Sequence, residues 1–221
     1  MKLRIPTIDR GRAMRLAQSG YETLNSLIDA DIQDLMQVRN IGRELARNIK
    51  EYVEEYIIDQ HDKLKSPQIR RAEELGRDSN IISDLYDHIG DNFARAVTLV
   101  FKYGIGLSCE FIGDINMHEP DVLIEYKNEK IVIECKRKIG TKLVSAGKAE
   151  EILGKGAKYK PTAYVTIGFP DFAQSAIDNV LNTKITQITH SKLAELLLKF
   201  WNGELSQEEI IGILKSKKYI T

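Results

Sequence analysis

Residues 120–136 read Pro120-Asp121-Val122-Leu123-Ile124-Glu125-Tyr126-Lys127-Asn128-Glu129-Lys130-Ile131-Val132-Ile133-Glu134-Cys135-Lys136. Two short apolar runs, Val122–Ile124 and Ile131–Ile133, flank a polar turn at Lys127–Lys130. That is the pattern of a β-hairpin. Side chains alternate along a strand, so Val132, Glu134 and Lys136 share one face and Ile131, Ile133 and Cys135 the other. Asp121 opens the first strand and Glu134 closes the second. The hairpin therefore sets two carboxylates on adjacent strands, with a lysine two residues beyond. Paired carboxylates are hard oxygen ligands for Mg2+ or Mn2+. An ion held there lowers the pKa of a bound water and neutralises phosphate charge. A neighbouring lysine can position the hydroxide or stabilise the charge that develops. The residue types suit metal-assisted phosphodiester hydrolysis.

On these residues the chain resembles the PD-(D/E)xK nuclease superfamily, and its Mrr-like branch in particular. The resemblance implies that Asp121 and Glu134 bind the metal, that the backbone carbonyl of Cys135 is a further ligand, and that Lys136 is the catalytic lysine. It extends beyond the motif. Phe93, Ala96, Val97, Val100 and Phe101 form an apolar-periodic segment that starts near Gly90 and ends at Gly104. After Lys136 come a helical stretch, a buried strand at Ala163–Ile167 and a helix from Phe172 to Leu181. A strand at Ile185–Ile188 and a helix from Ser191 to Phe200 follow. The order α-β-β-α-β-α-β is the core of that family. One position departs: Ala94 stands where many relatives carry a glutamate on the first core helix. Asp87, Asp91 and Glu110 are the nearby acids that could stand in for it.

The chain has 221 residues, 43% of them hydrophobic, enough for a real core. Its 32 basic and 32 acidic residues cancel. Their distribution does not: between Lys127 and Lys160 ten basic residues face four acidic ones. A basic surface around a metal site favours a polyanion. Lys138, Lys142 and Lys148 are the candidate phosphate contacts in that stretch. Two cysteines, Cys109 and Cys135, make neither a disulfide framework nor a zinc site. No signal-peptide h-region and no apolar run near 18 residues appears, so a reducing cytoplasm and no membrane are expected. The absence of a Gly-x-x-x-x-Gly-Lys-Ser/Thr loop excludes a P-loop ATP site. Of the four histidines, His118 lies nearest the motif in sequence.

Residues 1–58 have a different grammar: short helices, turn signals and little strand character. Val38-Arg39-Asn40-Ile41-Gly42-Arg43 has the hydrophobic-x-x-hydrophobic-Gly spacing of a helix-hairpin-helix turn. Gly42 is expected to supply a positive φ and close backbone approach. The N–H groups of the next helix would then meet a DNA phosphate, aided by the helix dipole. Arg39 flanks the turn, and Arg43 and Arg47 share a helical face. Ile5-Pro6-Thr7-Ile8-Asp9-Arg10 looks like an earlier, degenerate copy that lacks the glycine. The segment is similar to the helix-hairpin-helix tails of archaeal superfamily-two helicases and of DNA-repair proteins. Nine basic and nine acidic residues over 1–58 leave a packing or protein-binding role open as well.

The expected organisation is a tandem helix-hairpin-helix domain at 1–58, a helical linker at 59–80 and a nuclease-like domain at 81–221. Ser66-Pro67 is expected to start a new helix, with serine as N-cap and proline at N1. Ser206 with Glu209 is expected to cap a C-terminal helix. The fold class is an α/β restriction-endonuclease-like core, a mixed sheet flanked by helices, behind an all-α helix-hairpin-helix domain. The expected activity is an Mg2+- or Mn2+-dependent, structure-selective deoxyribonuclease of repair or recombination. DNA is the expected partner, and a helicase and a homodimer through Trp201 or Tyr219 are further ones. An inactive DNA-binding scaffold, a helicase accessory module and an RNA-directed nuclease are the competing readings.

Overall fold

The computed structural model of the chain describes residues 5, 7–113, 118–138 and 143–221, and all of their side chains except those of 58, 61 and 62. Four helices build the N-terminal region: α1 (Arg10–Gln18), α2 (Leu24–Asp29), α3 (Ile32–Met36) and the first half of α4 (Arg43–Glu74). Polar caps start them. Asp9 accepts the Arg12 N–H, and Thr23 and Ser26 cap α2 reciprocally. Leu16, Leu27, Leu35, Ile49 and Val53 are fully buried in one small core.

The spacing of Ile49, Val53 and Ile57 runs on into a single helix of 32 residues, about 48 Å long at 1.5 Å per residue. This corrects the expected helix start at Ser66-Pro67. Ser66 does not cap a helix, and Pro67 lies inside α4. Its ring nitrogen has no proton for the carbonyl of Lys63. Packing on both sides of the proline outweighs that cost: Ile57 belongs to the N-terminal core and Ala72 to the sheet core. The linker is thus a rigid helix with one end in each core.

The rest of the chain follows as α5 (Asn80–Asp87), α6 (Asp91–Leu99), β1 (Ser108–Phe111), β2 (Val122–Tyr126), β3 (Glu129–Arg137) and α7 (Ala146–Gly156). Then come β4 (Ala163–Phe169), α8 (Gln174–Asp178), α9 (Val180–Thr183), β5 (Ile185–Thr189), α10 (His190–Trp201), α11 (Gln207–Leu214) and β6 (Tyr219–Ile220). A π-helical turn at Val100–Ile105 continues α6. The strands form one sheet in the order β1-β2-β3-β4-β5-β6. β1, β2 and β3 are antiparallel; β3 to β6 are parallel. The predicted hairpin is β2–β3, tightened to a two-residue loop in which Lys127 takes φ 53°. The Ser206–Glu209 capping box is present at α11.

One face of the sheet carries Ile124, Ile131, Ile133, Val165 and Ile167, and the large core with α5, α6, α10 and α11 lies on it. The other face carries Val132, Glu134, Lys136, Tyr164 and Thr166, and α7 lies across it. Gly156 makes that contact close: a Cβ there would sit 2.7 Å from Val132 Cγ2. The Thr166 hydroxyl donates to Ala149 O at 2.9 Å and fixes the other end of α7. Trp201 and Tyr219, which could form a dimer interface or simply finish the core, are half-buried and bond to Gly104 O at 2.8 Å and to Asp171 Oδ1 at 2.6 Å. Among the described residues no helix is long and apolar enough to cross a membrane.

Candidate active site

Asp121 lies one residue before β2, and its N–H donates to Ile133 O at 3.1 Å. Extending the β2–β3 register by one residue sets it opposite Glu134. Its Oδ2 accepts the Cys135 N–H at 2.7 Å. Glu134 is 1% exposed. Its Oε1 accepts from Lys136 Nζ at 2.6 Å and from Lys155 Nζ at 2.5 Å. Its Oε2 is buried and has no hydrogen-bond partner among the described residues. The two carboxylates and the lysine read from the sequence are therefore together on one end of one sheet face.

Helix α7 adds residues that sequence reasoning missed. Glu151 Oε2 lies 2.6 Å from Lys136 Nζ, so the lysine is held between Glu134 and Glu151. Lys155, one turn along, reaches Glu134. Beyond it Lys158 and Tyr159 bond the carboxylate of Glu119, which is itself buried. The i, i+4 spacing of Glu151 and Lys155 on a helix was a signal that they share a face. Nothing local in the sequence says which strand that face meets.

The charges shift one another. Burial, then the nearby Glu134, pushes the Asp121 carboxyl up to about 6, while the Cys135 N–H and the two lysines pull it back. Burial alone would lower the pKa of Lys136, but its bonds to Glu134 and Glu151 outweigh that and hold it above the ordinary lysine value. Burial opposes ionisation of Glu151, yet the bonds from Lys136 and Lys148 bring it down to about 2. Lys136 is thus a firmly charged, oriented ammonium.

The other expected residues fare unevenly. Ala94 is 2% exposed on α6, which packs on the sheet face opposite Glu134. Asp87 pairs with Lys65 at 2.6 Å, and Asp91 and Glu110 are exposed. None of the three joins Asp121 and Glu134, and among the described residues no group of three His, Cys, Asp or Glu side chains could hold a metal ion. Lys148 is half-exposed on α7 and pairs with Glu151. The Lys138 N–H continues the ladder to Phe169 O at 3.0 Å. Lys142 lies outside the described residues.

In the N-terminal region Val38 and Ile41 are buried, and the Ile41 N–H donates to Val38 O at 3.0 Å. Gly42 caps α4 without a side chain, and Arg39, Arg43 and Arg47 are exposed around it. The expectation of a positive φ at Gly42 is corrected: its φ is −87°, and Asn40 takes the left-handed conformation at 68°. What the glycine supplies is space. A Cβ there would meet nothing within 4 Å, and no side chain caps the first N–H groups of α4, whose first turn carries Glu44.

Residues 3–55 match the family model described as a SAM-like helix-hairpin-helix tandem. No curated protein matches the chain. Among solved structures, restriction endonuclease FokI shares the fold at TM-score 0.50 and 13% identity, over 65% of this chain and 30% of that one. FokI bound to DNA aligns at TM-score 0.46 and 12% identity, over 97% of this chain and 49% of that one. The chain thus spans less than half the length of either. The expected fold class stands: a helical helix-hairpin-helix domain, then a mixed sheet flanked by helices, as in a restriction endonuclease.

Proposed function

We propose that the chain is a metal-dependent deoxyribonuclease that cuts at Asp121, Glu134 and Lys136 and holds its substrate through the Gly42 hairpin. The observation that carries this reading is the buried Oε2 of Glu134, left without a partner beside a second carboxylate. Lys136 and Lys155 already bond its Oε1, so the Oε2 beside Asp121 is the position at which a metal ion would join the two acids. Asp121 and Glu134 would hold Mg2+ or Mn2+ with the Cys135 carbonyl, and water and phosphate oxygens would fill the remaining positions. When bound, the ion supplies Lewis acidity and a water of lowered pKa. Lys136 presents its charge where negative charge grows on the phosphate, and Glu151 keeps it aimed. Lys155 offsets the charge of Glu134. The Gly42 hairpin binds phosphate through backbone N–H groups, which position the duplex without reading sequence. That favours a substrate chosen by shape, such as the flapped or branched DNA of repair and recombination.

A second reading, a DNA-binding scaffold without activity, is favoured by one observation: Ala94 offers no third carboxylate. Incubation of labelled linear, flapped, forked and four-way DNA with Mg2+, Mn2+ or EDTA separates the two. Cleavage that needs metal and falls at least about a thousandfold in Glu134→Gln, with DNA binding kept, supports the nuclease. Binding without cleavage by the wild-type chain in either metal supports the scaffold. Pull-down with a helicase tests the accessory role in the same way.

A further inference from the structure

Two ammonium groups share one oxygen of the buried Glu134, and they are not held alike. Lys136, on β3, lies between two carboxylates, 2.6 Å from Glu134 Oε1 and 2.6 Å from Glu151 Oε2. Lys155, on α7, has one ion pair among the described residues, to the same Oε1 at 2.5 Å. If Glu134 were taken by another cation, Lys136 would keep Glu151 and Lys155 would have no counter-charge. The backbone under Lys155 is fixed. Gly156 seats α7 on Val132, Thr166 holds Ala149 O, and past the helix Lys158 and Tyr159 bond the buried Glu119. The side chain is less confined. It is 23% exposed, while the carboxylate it meets is 1% exposed. A lysine has a flexible four-carbon stem and three rotatable donors, so it can change partner without moving its helix.

Charge decides when it would do so. Asp121, Glu134 and Glu151 stand against Lys136, Lys148 and Lys155, and beyond them Glu119 is matched by Lys158. The set is balanced as it stands. A divalent ion at the buried Oε2 of Glu134 would put two positive charges into that balance. Like charges in a buried site repel strongly. The cation with the fewest bonds, Lys155, is the one that gives way. A phosphate at the same two acids brings negative charge back, within the swing of the displaced side chain.

We infer that Lys155 is an exchangeable cation: it holds Glu134 while the acids have no divalent ion, and turns to the phosphate of the DNA when they do. The inference rests on the nuclease reading and adds to it a substrate-binding residue that couples metal to DNA. Each ligand then raises the affinity for the other by the same factor. Lys136 does not serve this purpose, because Glu151 keeps it in place.

The test uses the full chain as wild type, Lys155→Met and Lys155→Arg. Mn2+ is titrated without DNA and followed by the paramagnetic resonance of the free ion. A labelled duplex is titrated in EDTA and in Mn2+ and followed by anisotropy immediately after mixing. Lys155→Met is expected to bind Mn2+ at least about fivefold more tightly than wild type, because the competing ammonium is gone. It should bind duplex like wild type in EDTA and at least about fivefold more weakly in Mn2+. Lys155→Arg, which keeps a cation, should lie nearer wild type in both. A misfolded variant loses both ligands, so a gain on one with a loss on the other is specific to exchange. Unchanged or weaker Mn2+ binding by Lys155→Met overturns the inference and leaves Lys155 a structural prop for Glu134. Equal loss of duplex in EDTA and in Mn2+, or Mn2+ bound by neither protein, overturns it as well. Cleavage is not read in this measurement, so its failure is distinct from failure of the Glu134→Gln test.

Discussion

The two hairpins of the N-terminal region close with the same hydrogen bond between their apolar residues and differ at the helix cap that follows. In the first, the Ile8 N–H donates to Ile5 O at 3.0 Å; in the second, the Ile41 N–H donates to Val38 O at 3.0 Å. Each pair of apolar side chains points into the same core. Each turn ends on the cap of a helix, Asp9 for α1 and Gly42 for α4. Asp9 puts its own carboxylate on the helix end and accepts the Arg12 N–H at 2.8 Å. Gly42 leaves that end open. A phosphate approaching α1 meets a carboxylate bonded to the helix end; one approaching α4 meets N–H groups with no side-chain cap, three exposed arginines and the exposed Glu44 of the first turn. A hairpin can therefore keep its packing role after its anion site has been closed from within.

If packing is the shared property, removing it should cost most. Ile41→Ala is expected to lower stability by about 2–4 kcal/mol in urea denaturation, as for other buried isoleucines. Ile8→Ala, at a half-buried position, should cost less than half of that. Equal losses would mean that the first hairpin carries as much of the core as the second. If the open helix end is the difference, exchanging the caps should expose it. Gly42→Asp is expected to weaken DNA binding about tenfold while leaving the fold intact, because the new carboxylate fills and repels where a phosphate would sit. Unchanged affinity would move the DNA contact elsewhere.

The same contrast shows what a sequence can and cannot say. The Val38–Gly42 and Ile5–Asp9 spacings, and the β2–β3 hairpin with its acids, are local patterns fixed by side-chain alternation and turn residues, and all are legible. So was the loss of the glycine at Asp9. The left-handed residue was misassigned because either Asn40 or Gly42 could take it, and the turn geometry decided for the asparagine. Ser66-Pro67 has the form of a helix start, but contacts with two cores carry α4 through it. Glu151 and Lys155 were invisible as site residues. Glu151 reaches Lys136 and Lys155 reaches Glu134 only because Gly156 lets α7 settle against Val132 and Tyr164, a contact between distant segments.

The smaller effects separate charge from geometry. Removing one phosphate contact lowers the salt dependence of binding by about one counterion. Arg43→Ala should therefore reduce the slope of log affinity against log salt by about 1. Arg12→Ala, beside the closed helix end, should leave that slope unchanged. An equal reduction by both would show that the first hairpin also binds phosphate, whatever its cap.

Asp9 gives the smallest and most diagnostic signal. The Arg12 N–H bond holds its carboxyl below the ordinary value of 3.8. A depressed acid contributes stability that is present above its ordinary pKa and is lost as the pH falls through the folded one. Asp9→Ala should therefore melt slightly below wild type at neutral pH. The gap should close as the pH drops below 3.8 and the wild-type carboxyl takes up its proton. The second hairpin has no titrating cap, so Gly42→Ala should show a melting difference with no such closure. Thermal melts of the three proteins across that range read the contrast directly. A gap for Asp9→Ala that persists in acid would mean that the side chain works by shape rather than by charge, and that the first helix end is closed to phosphate for another reason.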